Sequence, residues 1–85
     1  MNYQVILSQT AEKELGSLDL VTRNRIIVKL DNIKEQPLNY VKRLTGVPLY
    51  SLRVGDYRVI MDIKNKQMVI FVIKVGHRSR IYGKI

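Results

Sequence analysis

The stretch that decides the fold covers residues 49–82 and reads LYSLRVGDYRVIMDI, KNKQ and MVIFVIKVGHRSRIY in succession. Apolar and polar residues alternate along its first part, and this period of two is typical of β-strands with one buried face. The pairs Gly55–Asp56 and Asn65–Lys66 are turn formers that suit β-hairpins. The stretch therefore predicts three consecutive antiparallel strands joined by tight turns.

The third predicted strand, from Met68 to Val75, is apolar at almost every position. Such a run is typical of a central strand that is covered on both faces. Gly76 then permits the backbone to turn out of the sheet. Residues 80–85 form either a short final strand or a frayed end.

The N-terminal part of the chain predicts a strand and two helices. Alternation over residues 3–8 indicates the strand. Thr10 is a candidate N-cap for a short helix over residues 11–18, and Asp19 is a candidate N-cap for a longer helix that Pro37 ends. The predicted buried stripe of the longer helix is Ile26, Ile27, Leu30 and Ile33.

These elements predict a single domain over residues 1–85 with an α+β fold. An N-terminal strand, an α-helical hairpin and an antiparallel three-strand meander form one sheet, with the helices packed on one face. Residues 37–48 are predicted to be a loop, and this loop carries the adjacent cations Lys42 and Arg43.

The composition is strongly basic, with 15 Lys and Arg against 7 Asp and Glu, a formal net charge of +8. Such a charge favours polyanionic partners: nucleic acid, an acidic protein segment or an anionic membrane surface. The chain has no Cys, which excludes disulfides and zinc–thiolate sites. We expect a cytoplasmic protein without a membrane span, because the chain begins with a strand pattern rather than a leader and its apolar runs are short.

Four arginines are placed along or next to the apolar strands: Arg53, Arg58, Arg78 and Arg80. Scattered carboxylates and a single His give no metal-ligand spacing, no two-histidine ribonuclease pair and no serine triad. Guanidinium groups bind phosphate through two N–H groups and stabilise charge that develops on phosphorus. The cluster therefore suits RNA cleavage by the 2′-hydroxyl of the substrate, without metal or cofactor, or the simple binding of an acidic partner.

The segments LRVGDYRVI over residues 52–60, VGHR over residues 75–78 and Ile81–Tyr82 resemble the RelE branch of the RelE/ParE toxin superfamily. The predicted order of strand, two helices, loop and three strands also fits that family. The resemblance implies a cytoplasmic toxin that is encoded with a cognate antitoxin and cleaves mRNA in the ribosomal A site without a metal. The implied partners are thus the antitoxin and the ribosome with its mRNA and small-subunit rRNA.

The resemblance also implies residue roles. Arg58 contacts the scissile phosphate, Arg78 stabilises the transition state, and Tyr82 stacks on an mRNA base. Arg53 lies on the strand that supplies basic groups to the site. Four further residues are implied to bind RNA: Lys29, Lys42, Arg43 and Arg80.

The general base is the point at which this chain departs from the family. RelE enzymes carry lysines on the strand before the turn, and the corresponding positions here are Leu49 and Ser51. His77 is a chemically suitable proton acceptor if its side chain points into the site. Two alternatives share the fold: a ParE-like toxin that binds DNA gyrase, and an inactive basic module that only binds its antitoxin.

Overall fold

The structure is a computed structural model that describes residues 2–84. Its elements, in chain order, are β1 (Gln4–Leu7), α1 (Gln9–Gly16), α2 (Leu20–Asn32), a 3₁₀ helix (Pro37–Asn39), β2 (Val41–Arg43), β3 (Tyr50–Val54), β4 (Tyr57–Lys64), β5 (Val69–His77) and a second 3₁₀ helix (Ile81–Lys84). One five-stranded sheet has the order β1-β5-β4-β3-β2. The β3–β4–β5 meander is antiparallel, β2 pairs antiparallel with β3, and β1 pairs in parallel with β5. The predicted α+β class is therefore confirmed.

Two segments near the edges of the sheet differ from the prediction. Residues 41–43 form the edge strand β2, which pairs with residues 50–52, where a loop was predicted. Hydrogen bonding closes this hairpin, since the N–H of Leu44 donates to the carbonyl of Leu49 at 2.9 Å. Residues 81–84 form a 3₁₀ helix rather than a strand or a frayed end. A three-residue strand and a single helical turn are too short to give a periodic signal.

The first helix begins earlier than predicted because Ser8, not Thr10, is its N-cap. The Ser8 hydroxyl oxygen accepts from the N–H of Ala11 at 3.0 Å. The same hydroxyl donates to the carbonyl of Ile73 at 2.8 Å, which ties the helix start to β5. Ser8 thus caps the helix and also binds β5, and no spacing within the helix reveals the second contact.

The second helix begins as predicted and ends sooner. Asp19 caps it by accepting from the N–H of Thr22 at 3.0 Å. Hydrogen bonds from Thr22, from its hydroxyl and its backbone N–H, also lower the pKa of the Asp19 carboxyl. The helix ends at Asn32 with Ile33 as its C-cap, so Pro37 does not terminate it but begins the first 3₁₀ helix.

The core lies between the two helices and one face of the sheet. Of the predicted stripe on α2, Ile26, Leu30 and Ile33 are buried, whereas Ile27 is 47% exposed and was wrongly placed in the core. The sheet contributes these buried residues to the same cluster: Leu52, Val54, Val59, Met61, Ile63, Ile70, Val72 and Val75. The prediction that this third strand, β5, is covered on both faces is wrong, because alternate residues of the strand are only half-buried. The helices thus cover one face of the sheet and leave the other face available for a site.

Candidate functional site

Strand register places four polar residues of β2, β3 and β4 on the face opposite the helices. Leu52 is buried in the core, so its neighbours Ser51 and Arg53 point to the other face. Lys42 lies across from Ser51, and Arg58 lies across from Arg53. Residues directly opposite each other in an antiparallel pair share a face. These four side chains therefore belong to one surface.

That surface contains an open cavity of about 760 Å³ between β3, β4, the segment 39–45 and Tyr82. We call it the arginine cavity. Its lining includes four cations and four hydroxyl groups, and none of its lining residues is acidic. The cations are Lys42, Arg43, Arg53 and Arg58, and the hydroxyls are those of Tyr40, Thr45, Ser51 and Tyr82.

Carboxylates do not neutralise these four cations within residues 2–84. The ion pairs in that part of the chain join Lys34 to Asp31, Lys64 to Asp62, Lys74 to Glu14 and Arg78 to Asp56. A cavity lined by one sign of charge concentrates ions of the opposite sign. The charge of the arginine cavity therefore favours an anionic ligand.

The hairpin between β3 and β4 holds Arg58 in place. Its Nη1 donates to the carbonyl of Gly55 at 3.0 Å and to the carbonyl of Tyr57 at 2.9 Å. A guanidinium carries five N–H groups, so these contacts fix the group and leave donors for a ligand. On the other side of the cavity, Arg43 lies over the ring of Tyr50, with its Cζ 5.8 Å from the ring centroid.

Tyr82 borders the cavity through a direct contact with β3. Its hydroxyl is 2.8 Å from the Oγ of Ser51. Tyr82 is 44% exposed, whereas the preceding Ile81 is buried. The predicted stacking residue therefore lies beside Arg53 and Arg58, and sequence reasoning gave no sign that Ser51 holds it there.

Arg78 lies at the same end of the sheet as Arg58, but its side chain is not part of the cavity lining. Gly76, two residues before it, pairs with Arg58. The backbone N–H of Arg78 donates to the carbonyl of Asp56 at 2.8 Å. Its Nε lies 3.7 Å from Asp56 Oδ1, with both side chains mostly exposed. Exposed pairs of this kind contribute at most about 1 kcal/mol to stability, so the Arg78 side chain can leave Asp56 at little cost.

The structure places His77 away from the arginine cavity. His77 pairs with Tyr57, on the helix-covered face, and their rings meet edge to face with centroids 5.5 Å apart. The backbone N–H of Ser79 donates to His77 Nδ1 at 3.1 Å. Because a backbone N–H only donates, Nδ1 is the acceptor and the proton of the neutral ring is on Nε2. His77 lines a separate cavity of about 340 Å³ together with Arg80.

Lys29 lines a second basic site, a groove that borders the arginine cavity. Its Nζ lies 5.6 Å from the ring centroid of Tyr40. Lys29 lines a groove of about 420 Å³ together with Arg25 and Arg53, and Arg53 also lines the arginine cavity. Sequence reasoning missed Arg25, since a basic residue on an exposed helix face gives no signal beyond that of a solvated surface.

Metal-binding clusters and membrane-spanning helices are both absent from residues 2–84. No group of three or more His, Cys, Asp or Glu side chains in that part of the chain is arranged to hold a metal ion. No helix in it is both long enough and apolar enough to cross a membrane.

The fold and the cavity together define a small basic α+β domain with a cation-lined cavity on the face opposite its helices. The family model described as the ParE toxin of the type II toxin–antitoxin system parDE matches residues 5–82. The chain therefore belongs to the RelE/ParE superfamily of type II toxins, and it is RelE-like.

Individual relatives support the same grouping. The mRNA interferase toxin RelE of Escherichia coli K12 is 31% identical over 83 residues, which covers 94% of this chain and 87% of that protein. The archaeal RelE–RelB complex of Pyrococcus horikoshii OT3 matches with a TM-score of 0.79 and 32% identity, covering 94% of this chain and 99% of the solved one. The RelBE2 complex of Mycobacterium tuberculosis, at 23% identity, has the same fold, with a TM-score of 0.84 over 92% of this chain and 100% of that chain.

Proposed function

We propose that this toxin is an endoribonuclease that cleaves mRNA on the translating ribosome and so inhibits translation. The observation that carries the proposal is the arginine cavity, in which four cations without carboxylate partners among residues 2–84 lie beside an exposed tyrosine ring. RNA supplies both matching features, since its phosphates bind guanidinium groups and its unpaired bases stack on aromatic side chains. The similarity to a relative named as an mRNA interferase supports the same reaction.

The proposed chemistry is transfer of the scissile phosphate to the adjacent 2′-hydroxyl. The 2′-oxygen attacks phosphorus, the bond to the 5′-oxygen breaks, and the products are a 2′,3′-cyclic phosphate and a 5′-hydroxyl. Arg58 binds the phosphate, and Arg53 adds positive charge from the neighbouring strand. Donors of this kind are most effective when they are already fixed where negative charge develops. The two carbonyl contacts of Arg58 fix it in this way.

The remaining predicted roles depend on how far each residue lies from the cavity. Arg78 reaches the leaving 5′-oxygen only after it leaves Asp56, and its exposure permits this movement. Tyr82 stacks on a base beside the phosphate. His77 faces a different cavity and its Nδ1 is occupied, so we assign it no proton transfer in this arrangement. The 2′-hydroxyl proton is then lost to water, the leaving 5′-oxygen takes a proton from water, and the arginines supply electrostatic stabilisation.

We further propose that the toxin is held inactive by a cognate antitoxin and acts in the cytoplasm. The similar RelE proteins of Pyrococcus horikoshii and Escherichia coli were solved as complexes with RelB. A formal charge of +8 favours an acidic antitoxin segment that covers the arginine cavity. Contacts to small-subunit rRNA are proposed for the outer cations: Lys29, Lys42, Arg43 and Arg80.

A ParE-like toxin that binds DNA gyrase is the second candidate. The observation that favours it is the match of a ParE family model to residues 5–82. The absence of lysine at Leu49 and Ser51 also leaves the nuclease without the expected base. The two candidates differ in their target, because one predicts broken mRNA and the other predicts intact mRNA with altered DNA supercoiling.

Induced expression followed by primer extension on translated mRNA tests the proposal. We expect codon-linked cuts with the wild-type protein, and a loss of at least about a hundredfold with Arg58→Ala, the size of effect seen when one transition-state donor is removed. Lys64→Ala is the matched control, because it removes one cation that pairs with Asp62 outside the cavity. Intact mRNA with supercoiling defects would indicate the gyrase-binding alternative, and no growth effect would indicate the inactive binding module.

A further inference from the structure

Ser51 is the one buried polar residue among residues 2–84, with 7% of its surface exposed. It lies in the middle of β3, between the core residue Leu52 and the half-buried Tyr50. A buried hydroxyl is expected to have a hydrogen-bond partner. Its partner is the hydroxyl of Tyr82, 2.8 Å away and 31 residues later in the chain.

The backbone end of the Tyr82 ring is held by its neighbour in the chain. Ile81 is only 3% exposed. Its Cδ1 would lie 3.1 Å from a Cβ added at Gly76, so the absence of a side chain at Gly76 permits this close approach. The turn is completed by the N–H of Gly83, which donates to the carbonyl of Arg80 at 3.3 Å. The ring is therefore anchored at both ends, at Ile81 and at its own hydroxyl.

We propose that Ser51 is a positioning residue that holds the Tyr82 ring in place at the border of the arginine cavity before RNA binds. This inference rests on the proposed function. An RNA phosphate that binds Arg58 brings its flanking base to a ring that is already in place. Binding then loses no free energy to ordering the tyrosine side chain, which is the general advantage of preorganisation. Ser51 acts through Tyr82 and does not itself need to touch RNA.

A double-mutant cycle tests this assignment on the full chain. Ser51→Ala and Tyr82→Phe remove the same hydrogen bond from opposite sides, and Tyr82→Phe retains an aromatic ring. We expect each to weaken binding of a short single-stranded RNA, and to slow cleavage, by about fivefold, the usual effect of one hydrogen bond. The double variant should be no worse than either single variant. Effects that multiply would overturn the proposal, because Ser51 would then act independently of Tyr82.

Two companion variants separate positioning from a general loss of structure. Ser51→Thr retains a hydroxyl at the same place and should restore binding to within about twofold of wild type, since a net hydrogen bond is regained. Tyr3→Phe removes a tyrosine hydrogen bond of the same length, 2.8 Å to Asn65, far from the cavity. It should leave RNA binding unchanged. Equal losses in Ser51→Ala and Tyr3→Phe would overturn a specific role for Ser51.

Amide hydrogen exchange distinguishes failure of this inference from failure of the proposed function. In the free protein, Ser51→Ala should speed exchange at Gly83, because the turn loses one of its two anchors. Unchanged Gly83 exchange would overturn the anchoring whether or not the protein cleaves RNA. If wild-type protein leaves mRNA intact but Gly83 exchange rises as expected, the nuclease proposal fails while the anchoring stands. If wild-type protein cleaves mRNA but the losses from Ser51→Ala and Tyr82→Phe multiply in the double variant, the positioning role is rejected and the nuclease proposal stands.

Discussion

The two faces of the sheet carry out different tasks with the same strands. On the helix-covered face, Leu52 and Val59 are fully buried. One residue away along the same strands, Arg53 and Arg58 line an open cavity. Because side chains alternate with a period of two, a shift of pairing by one residue would exchange these faces entirely. The register is therefore the property on which both the core and the site depend.

This difference implies that stability and activity can be lost separately. Side chains on the helix-covered face contribute by being removed from water. The cations on the open face contribute charge, whereas Ser51 and Ile60 on that face are buried. Substitutions in the core of the first face should unfold the protein, whereas substitutions of the cations on the second face should leave it folded and inactive. The following predictions test that separation.

The largest effect is expected from Ile70→Ala on the helix-covered face. Ile70 lies in β5 and is 0% exposed. Removing its buried methyl and methylene groups leaves a cavity, so we expect a loss of about 2–5 kcal/mol in the free energy of unfolding. Urea denaturation monitored by circular dichroism measures the loss. A change below about 1 kcal/mol, the size expected for a surface substitution, would show that this face is not the core.

Arg78→Ala, at the end of the open face, should change stability less than Ile70→Ala does and should reduce cleavage instead. Its pair with Asp56 is exposed, so the free energy of unfolding should change by less than about 1 kcal/mol. Under the proposed mechanism, cleavage of ribosome-bound mRNA should fall about a hundredfold, because a donor to the transition state is lost. Single-turnover cleavage on programmed ribosomes measures the rate.

Two neighbouring variants sharpen this prediction. Arg80→Ala removes the same charge two residues later, from the cavity that contains His77, and should reduce the cleavage rate far less than Arg78→Ala. Asp56→Asn releases the Arg78 guanidinium and should leave cleavage unchanged or faster. Cleavage at the wild-type rate by Arg78→Ala would confine the active surface to the arginine cavity itself.

The helix-covered face was more predictable from sequence than the open face. Apolar residues at periods of two and 3.6 indicated the strands and most of the buried stripe on α2, although Ile27 was wrong. Burial follows such periods because each face of a strand or helix has one environment. The open face depends instead on contacts between distant residues, such as Ser51 with Tyr82. The spacing of apolar residues along the sequence does not predict these contacts.

The positions of the arginine side chains were likewise only partly predictable from the sequence. Their presence in the sequence predicted a basic site, and register brings Arg53 and Arg58 together. The position of each guanidinium depends on its partners, as with Arg78 and Asp56. Arg25, in the groove beside the cavity, was not predicted at all. Residue type therefore predicted the chemistry of the face, and only the fold shows which residues share a cavity.

The smallest effect concerns the helix side and depends on pH. Hydrogen bonds from Thr22 lower the pKa of the Asp19 carboxyl below its ordinary value of 3.8. A lowered folded-state pKa means that the contribution of Asp19 to stability is present above that ordinary value and is lost as pH falls through the folded-state pKa. Wild-type protein should therefore lose stability in this acidic range, whereas Asp19→Asn, which keeps a capping oxygen without the charge, should lose less.

Urea denaturation at a series of pH values from neutral to acidic measures this difference. Thr22→Ala should fall between wild type and Asp19→Asn, because it removes the hydroxyl donor, the largest cause of the pKa shift, and keeps the backbone N–H donor. RNA binding at neutral pH should be the same in all three proteins, since Asp19 caps α2 and does not line the arginine cavity. Identical pH dependence in wild type and Asp19→Asn would show that the cap does not need its charge, and altered RNA binding would show that the two faces are coupled.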